Sequence, residues 1–445
     1  MRLKQATIKN LRLFGNSEQR IVFSEDKNIT VFLGDNGAGK TSILYGLSVI
    51  LSNFFRAFPG IGIKNFTDRD VRIVNATRLA DYLQVGIDLS VPQQNEPITA
   101  YQNRKGDSSD TPKSYLSELN AYGNAMKEKL DNNECVEMPI LAYYGTERGQ
   151  IDSPERRRDF NTVFPRWDAY TDALEPSTNF KRFFTWYERN EDEERRKKLE
   201  LMDFGYRSFV LEVVRRALNQ VDRKYRNPRV LTSPLRFVMD DISNNEQQKE
   251  IRIEQMSDGF RIMVAMIADI AARMAEVNPS IGCSGLSNVL ETPGIVFIDE
   301  IDLHLHPLWQ RKVLRQLNSI FPNVQFIVTT HSPNVVMGAL DLVQVIKLDN
   351  GIIDTAVDIN QYIYYDINQM LLSDLFNVGN VRRVEYETLY NERSGLIHKA
   401  DNLTAAEQTR LNELDRQIAK YDPCEGGEMR RVRELLEQLS QSSGQ

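Results

Sequence analysis

Apolar positions along the chain follow two periods, and the segments that carry them alternate. Residues 28–33 form an apolar run with β-branched members, the pattern of a strand buried on both faces. Ile43, Leu44, Leu47, Ile50 and Leu51 then recur at helical spacing. Upstream, residues 3–10 predict an edge strand and residues 20–23 another. Val85, Ile87, Leu89 and Val91 alternate with polar neighbours, which predicts a half-buried antiparallel strand. A polar stretch over 93–112 reads as loop, 115–130 as helix, and 138–144 as an apolar strand ending in Gly145-Thr146-Glu147-Arg148. Residues 156–230 carry a helical pattern with a charged run over 191–198. From Ile251 an α/β texture returns: a helix after Asp258, then strands over 294–298, 324–330 and 343–348. Residues 375–445 predict amphipathic helices broken near 423–427. No internal repeat is present.

Composition narrows this picture. A chain of 445 residues suggests two or three folding units. With 26% charged residues, 41% hydrophobic residues and net charge −7, it has the profile of a soluble globular protein. It contains no run of 18 apolar residues, so no membrane span is expected, and residues 1–15 lack the apolar stretch of a signal peptide. Cys135, Cys283 and Cys424 are too scattered for a disulfide framework or a zinc site, which fits a reducing, cytoplasmic setting. Residues 156–230 hold 18 Lys/Arg against 13 Asp/Glu. This excess reads either as a surface for DNA or RNA phosphates or as a solvated face of mixed charge. Phe183, Phe184, Trp186 and Tyr187 fall there at the spacing of a buried helix face. The segment 156–250 leaves room for two helices of about 45 residues, roughly 65 Å long, which excludes a long coiled coil.

The candidate chemistry lies in four places. Gly34-Asp35-Asn36-Gly37-Ala38-Gly39-Lys40-Thr41-Ser42 follows a buried strand and opens a helix, the context of a phosphate-binding P-loop. Its glycines let main-chain N–H groups face phosphate oxygens at a helix N-terminus. Lys40 would reach the outer phosphates and Thr41 would hold Mg²⁺. Ile295-Val296-Phe297-Ile298-Asp299-Glu300 is a buried strand ending in two carboxylates, expected beside the P-loop: Asp299 for Mg²⁺, and Glu300 as general base toward water. His331 ends the next strand, within reach of a γ-phosphate. Ser257-Asp258-Gly259 opens a helix, where a hydroxyl and N–H groups can meet an anion or simply cap the helix.

In this order the four elements resemble those of the ATP-binding-cassette ATPases, and among them the SMC/RecF/OLD-like heads. Ser257-Asp258-Gly259 stands where that family has Leu-Ser-Gly-Gly-Gln, with Met256 for Leu and Asp258 for the first Gly. The opening Ile8-Lys9-Asn10-Leu11-Arg12-Leu13-Phe14 is similar to the RecF/SMC start. Glu300-Ile301-Asp302-Leu303-His304-Leu305-His306-Pro307 is similar to the Asp-Glu-x-Asp-x-His-Leu-His-Pro stretch of OLD-like ATPases, with Asp302 at the D-loop aspartate. The resemblance covers about residues 1–350. It implies an α/β, P-loop ABC-ATPase head with a mixed sheet, a helical lobe and a helical C-terminal tail. The divisions expected are 1–150 (lobe with P-loop), 151–290 (helical lobe with signature), 291–375 (core with the Asp-Glu strand, D-loop and switch His331) and 376–445 (partner-binding tail).

The resemblance also implies ATP and Mg²⁺ as ligands, with Gln150 as the Q-loop metal ligand. It implies a head-to-tail homodimer, or a higher even oligomer, in which each ATP lies between one P-loop and the other subunit's Ser257–Gly259. His304 and His306 would order Asp302 and the dimer seam. The size and layout are similar to those of the PtuA-type ATPases of Septu and retron anti-phage systems. That likeness implies a separately encoded HNH nuclease as partner and, in retrons, a reverse transcriptase with its small DNA or RNA. The competing readings are a RecF-type repair ATPase that contacts DNA directly and a toxin that depletes nucleotide.

Overall fold

The computed structural model describes residues 1–149, 165–176, 180–279, 289–376 and 405–421, apart from 109, 135, 223, 356, 233–234 and 243–248. Between 377 and 404 it describes only positions 389, 392–393 and 396–397. Gln150, His398, the three cysteines and the expected break at 423–427 lie outside the described residues. The chain divides into two compact units, Met1–Ile367 and Asn368–Gln445. No helix among the described residues is long and apolar enough to cross a membrane.

The first unit begins with β1 (Arg2–Lys9), β2 (Gln19–Val22), β3 (Ile29–Gly34) and α1 (Lys40–Leu51). A small ribbon, β4 (Ile73–Asn75) and β5 (Arg78–Leu79), precedes β6 (Tyr82–Ser90), β7 (Ile98–Lys105), α2 (Ser117–Asp131) and β8 (Ile140–Tyr144). Then come α3 (Lys181–Glu200), α4 (Phe209–Val221), β9 (Tyr225–Thr232), β10 (Leu235–Asp241), β11 (Lys249–Arg252) and α5 (Asp258–Val277). The last stretch is β12 (Gly294–Ile298), α6 (Pro307–Gln310), α7 (Val313–Ile320), β13 (Val324–Thr329), α8 (Pro333–Met337), β14 (Val343–Asp349) and β15 (Ile352–Asp354).

Two sheets enclose the core. One has the order β15-β14-β3-β13-β12-β8, parallel except for β15. The other is antiparallel, β2-β1-β6-β7. Helix α1 lies in the core that they share with Phe32, Ile346, Leu3 and Val85, and ten of its twelve residues are buried. A helix apolar on nearly every side has no solvent face to offer, so it sits inside. A third sheet, β11-β10-β9, is antiparallel. Across the unit, Tyr144 Oη donates to Asp269 Oδ2 at 2.8 Å and Arg273 Nε donates to the same oxygen at 2.8 Å, so a buried polar group ties α5 to β8. In the second unit, the helix Ala405–Tyr421 buries Leu411 and Leu414, one turn apart, and Asp415 accepts from Arg393 Nε at 2.6 Å.

Three expectations are corrected. β1 is an interior strand, flanked by β2 and β6, rather than an edge. The loop expected over 93–112 contains β7. Its inward positions are Ile98, Ala100 and Gln102, and the last is buried only because its amide pairs with Asn53 and Asn65, so apolar alternation fails there. Residues 156–230 are not helical throughout: the described helices have 20 and 13 residues, and β9 opens an antiparallel meander at Tyr225. The longer helix is therefore about 30 Å, half the expected reach. Phe183, Phe184 and Tyr187 are buried as their spacing indicates, packed around Phe237 of β10.

Candidate active site

The parallel sheet sends the C-terminal ends of β3, β12 and β13 toward one edge, where an α/β sheet places its ligands. β13 lies between β3 and β12, so the Asp-Glu strand is one strand removed from the P-loop strand and not beside it. The side chains bridge that gap. Thr41 Oγ1, in the first turn of α1, donates to Asp299 Oδ2 at 2.7 Å, and Thr329 Oγ1 of β13 donates to Asp299 Oδ1 at 2.6 Å.

The loop between β3 and α1 has the backbone its sequence requires. Gly34, Gly37 and Gly39 have φ of 151°, 81° and 105°, a region that favours glycine. At Gly39 a Cβ would also stand 2.8 Å from the Phe14 ring. Asp35, Asn36 and Gly37 are exposed, whereas Ala38, Gly39, Lys40 and Ser42 are buried. Lys40 Nζ folds under the loop and donates to the carbonyls of Gly34 (2.7 Å) and Asp35 (2.9 Å). Burial lowers its pKa, against the opposing pull of Asp299, Glu300, Asp35 and Asp302.

Glu300 has φ 47°, a left-handed conformation rare for a residue with a side chain. Its N–H donates to Thr329 Oγ1 at 2.7 Å. Asp302 accepts from Thr330 Oγ1. His331 follows on the exposed side of the same strand end. Ser257 is the N-cap of α5, is exposed, and makes no side-chain cap bond, so its hydroxyl is not spent on its own helix. Asp258 pairs with Arg261 at 2.9 Å. Gly259 is buried against the D-loop: a Cβ there would lie 2.1 Å from the His304 carbonyl oxygen. The start of α5 and the loop after β12 thus meet within one chain. His304 is exposed with φ 60°, and His306 caps α6, its Nδ1 accepting from Leu308 N at 3.3 Å. Among the described residues no group of three or more His, Cys, Asp or Glu is placed to hold a metal ion.

Sequence reasoning missed three contributors. Thr329 and Thr330 orient the two aspartates, and the paired threonines at a strand end were the available signal. Arg148, quoted only as part of a motif, is buried at 2% exposure. Its Nη1 donates to the carbonyls of Gly145 (2.8 Å) and Asp299 (2.5 Å), and its Nη2 donates to that of Glu300 (2.6 Å). Burial lowers its pKa to about 10, with Asp299, Glu300 and Asp302 opposing.

The donors present fit a nucleotide with a hard divalent cation. The cradle of left-handed glycines suits phosphate oxygens, and a hydroxyl paired with a carboxylate suits Mg²⁺. Part of the positive charge of 156–230 is paired with carboxylates: Arg215 pairs with Glu194 and Glu212, Arg195 with Glu191, Lys198 with Glu194, and Arg229 with Asp240 and Glu250.

A family model described as "AAA domain, putative AbiEii toxin, Type IV TA system" matches residues 29–337. The chain is similar to "Retron Vc95 probable ATPase" of Vibrio cholerae serotype O1 biovar El Tor, at 30% identity over 70% of this chain and 67% of that protein. It is similar to "Septu protein PtuA" of Bacillus mycoides (strain KBAB4), at 22% identity over 78% of this chain and 40% of that one. Among solved structures, an Smc head bound to the C-winged helix domain of ScpA superposes with TM-score 0.47 at 14% identity, covering 81% of this chain and 99% of that one.

Proposed function

The chain belongs to this AAA-domain family and is an ATPase, and from that premise we propose that it serves anti-phage defence as the regulatory ATPase of a complex whose HNH nuclease it controls. The observation that carries the catalytic part is the 2.7 Å Thr41–Asp299 bond, which joins the P-loop helix to the strand that ends in Glu300. Main-chain N–H groups of residues 34–39 and the Lys40 ammonium hold the phosphates, with Lys40 exchanging its two carbonyl partners for phosphate oxygens. Thr41 and Asp299 would hold Mg²⁺, which neutralises phosphate charge when bound. Glu300 takes the proton of the water whose oxygen attacks the γ-phosphorus as the bond to the β-phosphate oxygen breaks, giving ADP and phosphate. His331 senses the γ-phosphate. Asp302 and the partner subunit's signature helix complete the site in a head-to-tail dimer.

The retron likeness favours a complex that also holds a reverse transcriptase and its small DNA or RNA. Glu300→Gln is expected to abolish hydrolysis and retain ATP binding, while Lys40→Ala loses binding itself. His331→Ala should lower turnover and spare binding. Wild-type turnover in Glu300→Gln overturns the assignment. Affinity purification from the native host with mass spectrometry tests the partner: recovery of an HNH nuclease supports the defence reading, and salt-dependent DNA binding by the isolated ATPase favours the repair reading instead.

A further inference from the structure

An arginine as deep as Arg148 is uncommon, because a guanidinium leaves water only where partners replace it. Among the described residues its Nη1 and Nη2 donate to main-chain carbonyls, while its Nε is buried without a partner. Two of those carbonyls belong to Asp299 and Glu300. The third, of Gly145, lies at the end of β8, the neighbour of β12. One face of Arg148 borders a small void shared with Gly259, Met263 and Leu305, so the signature helix packs behind it.

The Glu300 backbone needs such a partner. A side-chain-bearing residue at φ 47° relaxes toward the right-handed region unless its neighbours hold it. Its N–H is held by Thr329 Oγ1 at 2.7 Å and its carbonyl by Arg148 Nη2 at 2.6 Å. Rotation about either peptide would swing Cβ, and with it the carboxylate, away from its present direction. A planar guanidinium can serve the Asp299 and Glu300 carbonyls at once, whereas an ammonium on a flexible stem cannot hold that fork.

We propose that Arg148 is a positioning residue for hydrolysis: its guanidinium locks the Asp299–Glu300 main chain in the left-handed turn that aims the Glu300 carboxylate at the attacking water. This rests on the reading of Glu300 as general base. Arg148 itself touches no reacting atom.

The test uses the full-length protein carrying Arg148→Lys or Arg148→Met, alone and combined with Glu300→Gln. A misaimed base loses part of the factor that general-base catalysis supplies, so kcat should fall about 10–100-fold, less for Lys than for Met. KM for ATP should stay within about two-fold, because uniform binding is untouched. In the Glu300→Gln background, which binds ATP without hydrolysing it, the Arg148 change should leave ATP affinity within about two-fold, since a positioning role does not touch binding. Wild-type kcat in both variants, a KM that rises in step with the loss, or weakened ATP binding in the double variant overturns the proposal. An Arg148→Lys protein that no longer binds ATP also overturns it, because a positioning role leaves the P-loop intact. Should Arg148→Met fail to fold, Arg148→Lys decides alone. A wild-type chain without ATPase activity, or wild-type turnover in Glu300→Gln, defeats the catalytic reading instead. Active wild type, inactive Glu300→Gln and unaffected Arg148 variants defeat this inference only.

Discussion

At the scale of single residues, the P-loop combines two constraints in one position. Gly39 must adopt φ 105° and must also leave room for Phe14, whose ring would stand 2.8 Å from any Cβ. Gly39→Ala is therefore expected to destabilise the fold by about 1–3 kcal/mol, read as a lowered denaturant midpoint at unchanged m. A variant as stable as wild type would show that the loop can shift off Phe14. The P-loop and the Asp299–Glu300 pair were legible in the sequence because each is a contiguous string next to a strand whose burial is also legible. Arg148 was not legible, and Thr329 and Thr330 were legible only as a pair at a strand end, since the roles of all three are hydrogen bonds to residues 28–152 positions away, which no local spacing encodes. The place of β13 between β3 and β12 was equally invisible: it follows from how distant strands pair.

Among elements, the α3–α4 pair shows how a charged helix can pack. Glu194 accepts from Arg215 (3.0 Å), from Lys198 (2.9 Å) and from the Ser208 N–H (2.8 Å). Burial alone would raise its pKa, but these hydrogen bonds and the Arg215 charge outweigh burial and hold it down to about 2. The group stabilises the fold fully above its ordinary value of 4.5, and that contribution fades as pH falls from there toward 2. Glu191, raised by burial, contributes with the opposite sign. Glu194→Gln should therefore be less stable than wild type at pH 7 and lose less stability on acidification from pH 4.5 to 2.5, measured by chemical denaturation. Parallel pH profiles would show that Glu194 is not the linked group. The helical face of this segment was readable from aromatic spacing. The short helix lengths and the following meander were not, because tertiary pairing of β9 with β10 overrides a weak helical pattern.

At the scale of the whole molecule, the proposed head-to-tail pairing predicts a change of mass. Glu300→Gln with ATP and Mg²⁺ should sediment as a dimer or higher even assembly, and Lys40→Ala should not respond to nucleotide. A monomer under both conditions removes the shared-site reading while leaving the P-loop chemistry untouched. The strand order carries a further consequence, for the timing of synthesis. β3 is flanked by β13 and β14, whereas β1 pairs with β2 and β6 and β6 with β7, so the antiparallel sheet can close once Lys105 has been made. The P-loop waits for strands about 290 residues downstream. At a translation rate of about 5–20 residues per second this is roughly 15–60 s during which β3 lacks both neighbours. A nascent chain therefore carries its phosphate loop long before it can use it, and nucleotide turnover begins only after nearly the whole first unit has left the ribosome.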